Sequence, residues 1–406
     1  MSNTDIKWFS FGNTNAPQLS NSWGCMIDVL DACLVTGMGS QLVSTLVVKD
    51  GVATATFGTS HNLQQFQVVE ISNADQQIFN GEHKVLGVTS NTIEFVVNSP
   101  DTIATGTISC KLASLGWTKA FSGTQKAVYS AKDRTANPYF LRVDNSLDPA
   151  YGENYSKFAK VGILDSCTGI DDLTGNQAPF NPSNPNLNWI GTGRNNGWFK
   201  WRYATNEEIA INQYYTESSQ PSNGNRPWVL IGTKDSFYLI NSLTLSQIFE
   251  SPYCFGVIQH NGLAKSFLCA ANHSTTFNDN YISTGTPLSN TSRTEVAAMT
   301  GYSGSFINTK YSRLISGFGN VVSGTAANVI KSDPAEGYIL TPFYFADADG
   351  FIMGKLPLIQ ACVNDATSTP NYSIFSEPNK AYIGCRFRSE AASSLGMLFL
   401  TIYDGS

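Results

Sequence analysis

From about Gln41 onward the chain is written in short alternating stretches separated by turn residues, and that pattern decides most of what it can become. The stretches are LVSTLVV, GVATATF, FQVVEI, HKVLGV, NTIEFVV and GTISCKL, divided by Lys49-Asp50-Gly51, Ser72-Asn73-Ala74-Asp75 and Asn80-Gly81. In NTIEFVV, Ile93, Phe95 and Val97 fall on one side and Thr92 and Glu94 on the other, because successive side chains of a strand point to opposite faces. Such a series predicts a small β-barrel or sandwich.

Before it, Trp23, Ile27, Leu30 and Leu34 recur at helical spacing, and Gly37 and Gly39 stand where a helix would stop. After Gly116 a second alternating region begins. It carries YFLRV, with Tyr139, Leu141 and Val143 on one face, and KFAKVGI, with Ala159, Val161 and Ile163 aligned. In WFKWRYA, Phe199, Trp201 and Tyr203 oppose Trp198, Lys200 and Arg202. Residues 227–240 predict a hairpin with a Gly-Thr-Lys-Asp turn, and YIGCRF and GMLFLTIYD are strand-like. The expected fold is therefore mainly β. It has a short N-terminal helix and small β domain over 1–115, then a larger β-rich body with long loops over 116–406, with a further division near 270–300. The long polar connections are 174–188, 216–227, 272–300 and 363–372, lengths that usually mark binding or interaction surfaces, or disorder.

Charge narrows the function. The 406 residues carry a formal net charge of −6, and only 14% are charged. That leaves no basic footprint for nucleic acid. No apolar stretch is long enough to span a membrane as a helix. The amino terminus, MSNTDIKWFSFGN, lacks a secretory pattern, so folding in a reducing cytoplasm with free thiols is expected. The eight cysteines include no Cys-x-x-Cys pair.

Catalytic and ligand motifs are weak throughout. His61, His83, His260 and His273 have no partner at metal-ligand spacing. Gly191-Thr-Gly193-Arg-Asn-Asn-Gly197 leads into an aromatic strand where a phosphate loop needs a helix. Asp347-Ala-Asp349-Gly350 lacks the later glutamate of a calcium loop. Asp165, Asp171 and Asp172 sit in a turn-rich stretch. The strongest enzymatic candidate places Trp198, Trp201 and Tyr203 as sugar platforms beside Glu207 and Glu208. Adjacent glutamates on one strand point apart, so that pair cannot serve as both acid and nucleophile if the strand persists. The expectation is a non-enzyme without cofactor or metal.

The order of several segments is familiar. LDACLVTGMGS (30–40), VATATF (52–57), FNGEHKVLGVTSNTIEFV (79–96) and LGWTKAFSGTQKAVY (115–129) are followed by YFLRVDNS (139–146), YSKFAKVGI (155–163) and RPWVLIGTKDSFYL (226–239). Together they resemble a family of tailed-bacteriophage and prophage virion structural proteins of about 400 residues, most weakly in the carboxyl third. The resemblance implies a non-enzymatic, oligomeric subunit of the particle, made in the bacterial cytoplasm and located in the virion. A surface-exposed minor capsid or head decoration protein, trimeric, is the leading placement. A tail, collar or baseplate component is the alternative, and a glycan-binding adhesin or glycan hydrolase on the virion the rival class. Expected partners are copies of itself and other virion proteins, such as the major capsid protein or tail proteins. Trp198, Trp201 and Tyr203 are the expected exposed contacts, to neighbouring subunits or to glycan.

Overall fold

The computed structural model describes residues 3–149, 151–172, 177–178, 199–206, 220–245, 250–272, 295–298, 340–346, 352–362, 370–388 and 395–405. The chain is mainly β. The one α-helix among the described residues, Cys25–Leu30, widens into a π-helical turn over Asp31–Thr36. Ile27, Leu30 and Leu34 are buried together, as their spacing predicts. Gly37 ends the element at φ 72°, and a Cβ there would lie 2.2 Å from the Leu112 carbonyl oxygen, so only glycine fits.

The small sheet runs in the order Gly81–Lys84, Val68–Ser72, Ser109–Leu112, Met38–Lys49, Val52–Phe57, Thr92–Val96 and Gly87–Val88, with Thr102–Ile103 pairing separately on Met38–Lys49. Met38–Lys49 serves both halves. Its first part pairs with Ser109–Leu112 and its second with Val52–Phe57, and register shifts after Met38 and after Val43 bend it between the two. The halves fold toward each other, with the His83 ring stacked on Phe95 at 4.3 Å. Among the described residues neither end strand pairs further, so the sheet does not close into a barrel. The stretch HKVLGV, expected as one strand, is divided between the halves. Val85 donates its amide to the Gln67 carbonyl and Leu86 to the Glu94 carbonyl, which carries the chain across.

The body is layered. Its first sheet joins Thr118–Gly123, Lys126–Ser130, Phe140–Asp144, Lys157–Leu164 and Phe199–Ala204, each antiparallel to the next. The second joins Lys7–Ser10, Trp228–Gly232, Phe237–Ser242, Glu250–His260 and Leu263–Asn272. The two meet at a corner where Phe199 pairs with Asn272 and Lys200 with Ala271. Leu141, Val143, Ala159, Val161 and Ile163 face Leu230, Phe237, Leu239 and Phe255 across the space between them.

A third sheet, of Leu340–Ala346, Ile352–Cys362, Leu395–Tyr403, Lys380–Arg388 and Ser373–Glu377, covers the second on its far side. There Val229, Ile231, Tyr238 and Ile240 meet Leu356, Ile383, Leu398 and Leu400. The middle sheet is thus covered on both faces. That is why Trp228–Gly232 and Phe237–Ser242 are buried at every position and read as nearly continuous apolar runs.

The first strand, Lys7–Ser10, belongs to the middle sheet and also ties the small sheet to it. Lys7 Nζ donates to Glu82 Oε1 and to the Ser114 carbonyl, both at 2.6 Å, and Lys84 Nζ donates to the Ile6 carbonyl at 2.6 Å.

Candidate functional site: a covered charged face and an open apolar one

The aromatics expected as exposed contacts lie elsewhere. Trp201 and Tyr203 are completely buried, because their strand turns that face toward the middle sheet. The Trp201 ring stacks on Tyr253 at 5.8 Å and stands edge-on to Phe237 at 6.0 Å, and its indole N–H donates to the Cys269 carbonyl at 2.9 Å. Tyr203 donates to the Ser22 carbonyl and accepts from Asn145 Nδ2, and burial holds its phenol well above the usual range. Neither side chain presents a face to a neighbour or a sugar. Trp198, Glu207 and Glu208 lie outside the described residues, as do His273, the glycines of 191–197 and the Asp347–Gly350 turn.

The opposite side of the same sheet carries charge. Lys126, Asp144, Lys160 and Lys200 stand directly opposite one another across four adjacent strands. Arg142 lies one step along, and Asp148, Asp171 and Tyr151 reach over from the following loops. Asp144 Oδ2 is 3.4 Å from Lys160 Nζ and 3.9 Å from Arg142 Nη1, and Lys160 lies 3.0 Å from Asp148. Arg142 bridges to Asp171 at 3.2 Å and donates its Nε–H to the Ile170 carbonyl. Lys200 Nζ donates to the Tyr151 hydroxyl and sits 4.0 Å above the Phe158 ring.

Burial alone would raise the Asp144 carboxyl. Lys160, the hydroxyl and amide of Ser146, and Arg142 outweigh it and hold the group below the ordinary carboxylate range. The arrangement is a clamp. It fixes Asp148, Tyr151 and the loop 165–172 onto the sheet, and its core members Arg142, Asp144, Asp148 and Lys160 are all buried.

The histidines and turn aspartates have local work. His61 Nδ1 accepts from the Leu63 amide, and His83 Nε2 lies 2.8 Å from the Phe79 carbonyl. Burial lowers both imidazoles. Asp172 accepts from the amide and hydroxyl of Thr168. Among the described residues no group of three or more His, Cys, Asp or Glu is placed to hold a metal. None of the eight cysteines is in a disulfide, and Cys33, Cys110, Cys254, Cys269 and Cys385 are buried. A cleft of about 390 Å³ opens where the first strand meets the small sheet. Its lining balances Lys7, Lys132 and Lys234 against Asp5, Glu82 and Asp133, so it favours no ligand of either sign.

The open surface is on the small sheet. On its outward face Ile103 stands directly opposite Val47, and Val52 directly opposite Val96, with Val47 and Val52 diagonal on neighbouring strands. Val47, Val52, Val96 and Ile103 are 38%, 39%, 43% and 64% exposed. These positions ordinarily carry polar side chains when one face of an antiparallel sheet meets water. Thr45, Thr54, Thr56 and Thr92 fill the same face, and Lys49 and Glu94 mark its two sides. A signal for this row exists in LVSTLVV, where Val47 interrupts the alternation set by the buried Leu46 and Val48.

A scan against protein-family models and a search of curated proteins find no match to this chain.

Proposed function

We propose that the chain is a non-enzymatic structural subunit of a tailed bacteriophage particle, a surface-exposed minor capsid or head decoration protein acting as a symmetric oligomer, trimeric in the leading arrangement. The observation that carries the reading is the contrast between the body's middle sheet, covered on both faces, and a small sheet that leaves an almost uncharged, aliphatic face open. Contiguous exposed apolar surface marks association sites more often than chance. Few charges suit such a role, since charged groups are depleted at interface cores. The collinear segments shared in character with virion proteins support the same assignment, and other virion subunits are the proposed neighbours.

The rival reading as a sugar-active protein loses two of its three platforms, since Trp201 and Tyr203 are wholly buried, the Trp201 ring lying between two sheets. Immunogold labelling of intact virions with antibody against this chain tests the proposal. Regular label on the head supports it, label on the tail moves it to the alternative placement, and unlabelled particles overturn it.

A further inference from the structure

We infer that the outward face of the small sheet is where this chain meets a second copy of itself. The inference deepens the structural-subunit reading by naming one of its contacts, a two-fold one that joins two trimers rather than building one, and it is tested on the isolated chain.

The face is self-complementary. Lys49 lies on Met38–Lys49 and Glu94 on Thr92–Val96, on opposite sides of the central strand Val52–Phe57. Both are exposed, and among the described residues neither takes part in an ion pair. A two-fold axis lying in the plane of contact near Val52 and Thr54 exchanges the two positions. Each Lys49 then meets the partner's Glu94, Val52 meets the partner's Val96, and Val47 and Ile103 lie over the threonine side of the partner's central strand. Symmetric dimers use one patch twice in this way. Because Lys49 and Glu94 lie two strands and two residues apart, that axis runs oblique to the strands and the two sheets cross steeply, nearer the orthogonal than the aligned mode of face-to-face packing.

Within its strands the face carries one charge of each sign and is otherwise Thr, Val and Ile, so a second copy turned about the two-fold matches it sign for sign. Four strands about 4.8 Å apart and a few residues long cover roughly 300–400 Å², under half of the ~800 Å² per partner of a stable complex. The contact is therefore weak and concentration-dependent when made once, and gains strength when a symmetric assembly repeats it.

Sedimentation velocity of the full chain over a wide concentration range reads the contact. Val47→Glu should weaken self-association by at least about tenfold. Lys49→Glu and Glu94→Lys should each weaken it severalfold, and the double variant should return to within about twofold of the unsubstituted chain, because the swap restores both pairs. Far-UV circular dichroism verifies that each variant is folded. Should Val47→Glu fail to fold, Ile103→Thr replaces it, with the same direction expected. A chain monomeric at every concentration, association untouched by these substitutions, or a double variant as weak as the singles overturns the inference. Unlabelled virions would overturn the functional proposal and leave this measurement standing, and the converse also holds.

Discussion

The middle sheet of the body and the small sheet differ in how many faces are covered, and their sequences differ accordingly. WVLIG and FYLINS are buried at every position because a sheet lies on each side of them. TIEFV alternates, with Ile93 and Phe95 inward and Glu94 and Val96 outward. Continuous apolar character therefore reports two covered faces and alternation reports one. The first sheet is the instructive intermediate. Its strand KFAKVGIL is buried throughout although it holds two lysines, because loops clamped by charge cover its outer side.

Breaking the stack should have the largest effect. Trp201→Ala removes a wholly buried indole and its hydrogen bond to Cys269, and should cost about 3–5 kcal/mol in urea unfolding. Tyr253 and Phe237 lose their partner in the same variant.

The clamp comes next. Asp144→Asn leaves Lys160 and Arg142 buried without the carboxylate between them, an expected cost of about 3 kcal/mol at neutral pH. The Asp144 carboxyl is depressed in the fold, so its contribution is present above the unfolded carboxyl range and disappears as pH falls through the folded value. The difference in stability between the unsubstituted chain and Asp144→Asn should shrink on acidification. A difference that stays constant would mean that the Asp144 charge contributes nothing.

The tie between the sheets has the same pH sense, stability rising with pH, but in a higher window. Lys84 is buried and lowered from 10.5 to about 8, chiefly by desolvation. The unfolded chain then binds the proton more tightly than the folded one, so this group's penalty is full below about 8 and relaxes between about 8 and 10.5. The shift corresponds to roughly 3 kcal/mol as an upper bound. Stability curves of the unsubstituted chain and Lys84→Met, taken across that window, should converge or cross as pH rises; parallel curves would remove Lys84 as the cause.

The smallest expected effect lies on the open face. Val47→Thr should change stability by no more than about 0.5 kcal/mol, since the position is already part-exposed and threonine suits a strand. A cost comparable to that of Trp201→Ala would show that this face is covered in the folded chain and would erase the contrast between the two sheets.

Much of the secondary structure was legible because it depends on neighbours a few residues apart. The small-sheet strands follow from period and turn residues, and so do the 228–242 hairpin and the short helix, as does the pairing of Trp201 with Tyr203 on one face. Which way that face points was not legible. WFKWRYA has a consistent aromatic side and a consistent basic side, and either could meet solvent until another sheet arrives. The division of HKVLGV was equally hidden, because it depends on Gln67 and Glu94, each several residues or more away in sequence.

By itself the sequence determined that this chain would be built of short antiparallel strands with few charges, since alternation, turn residues and composition are local properties. Only the tertiary structure decided which faces are covered. Trp201 and Tyr203 became core, Asp144 and Lys160 became a buried clamp, and Val47, Val52, Val96 and Ile103 were left in the open. The physical reason is that burial is a relation between segments far apart along the chain, and no window of neighbouring residues contains it.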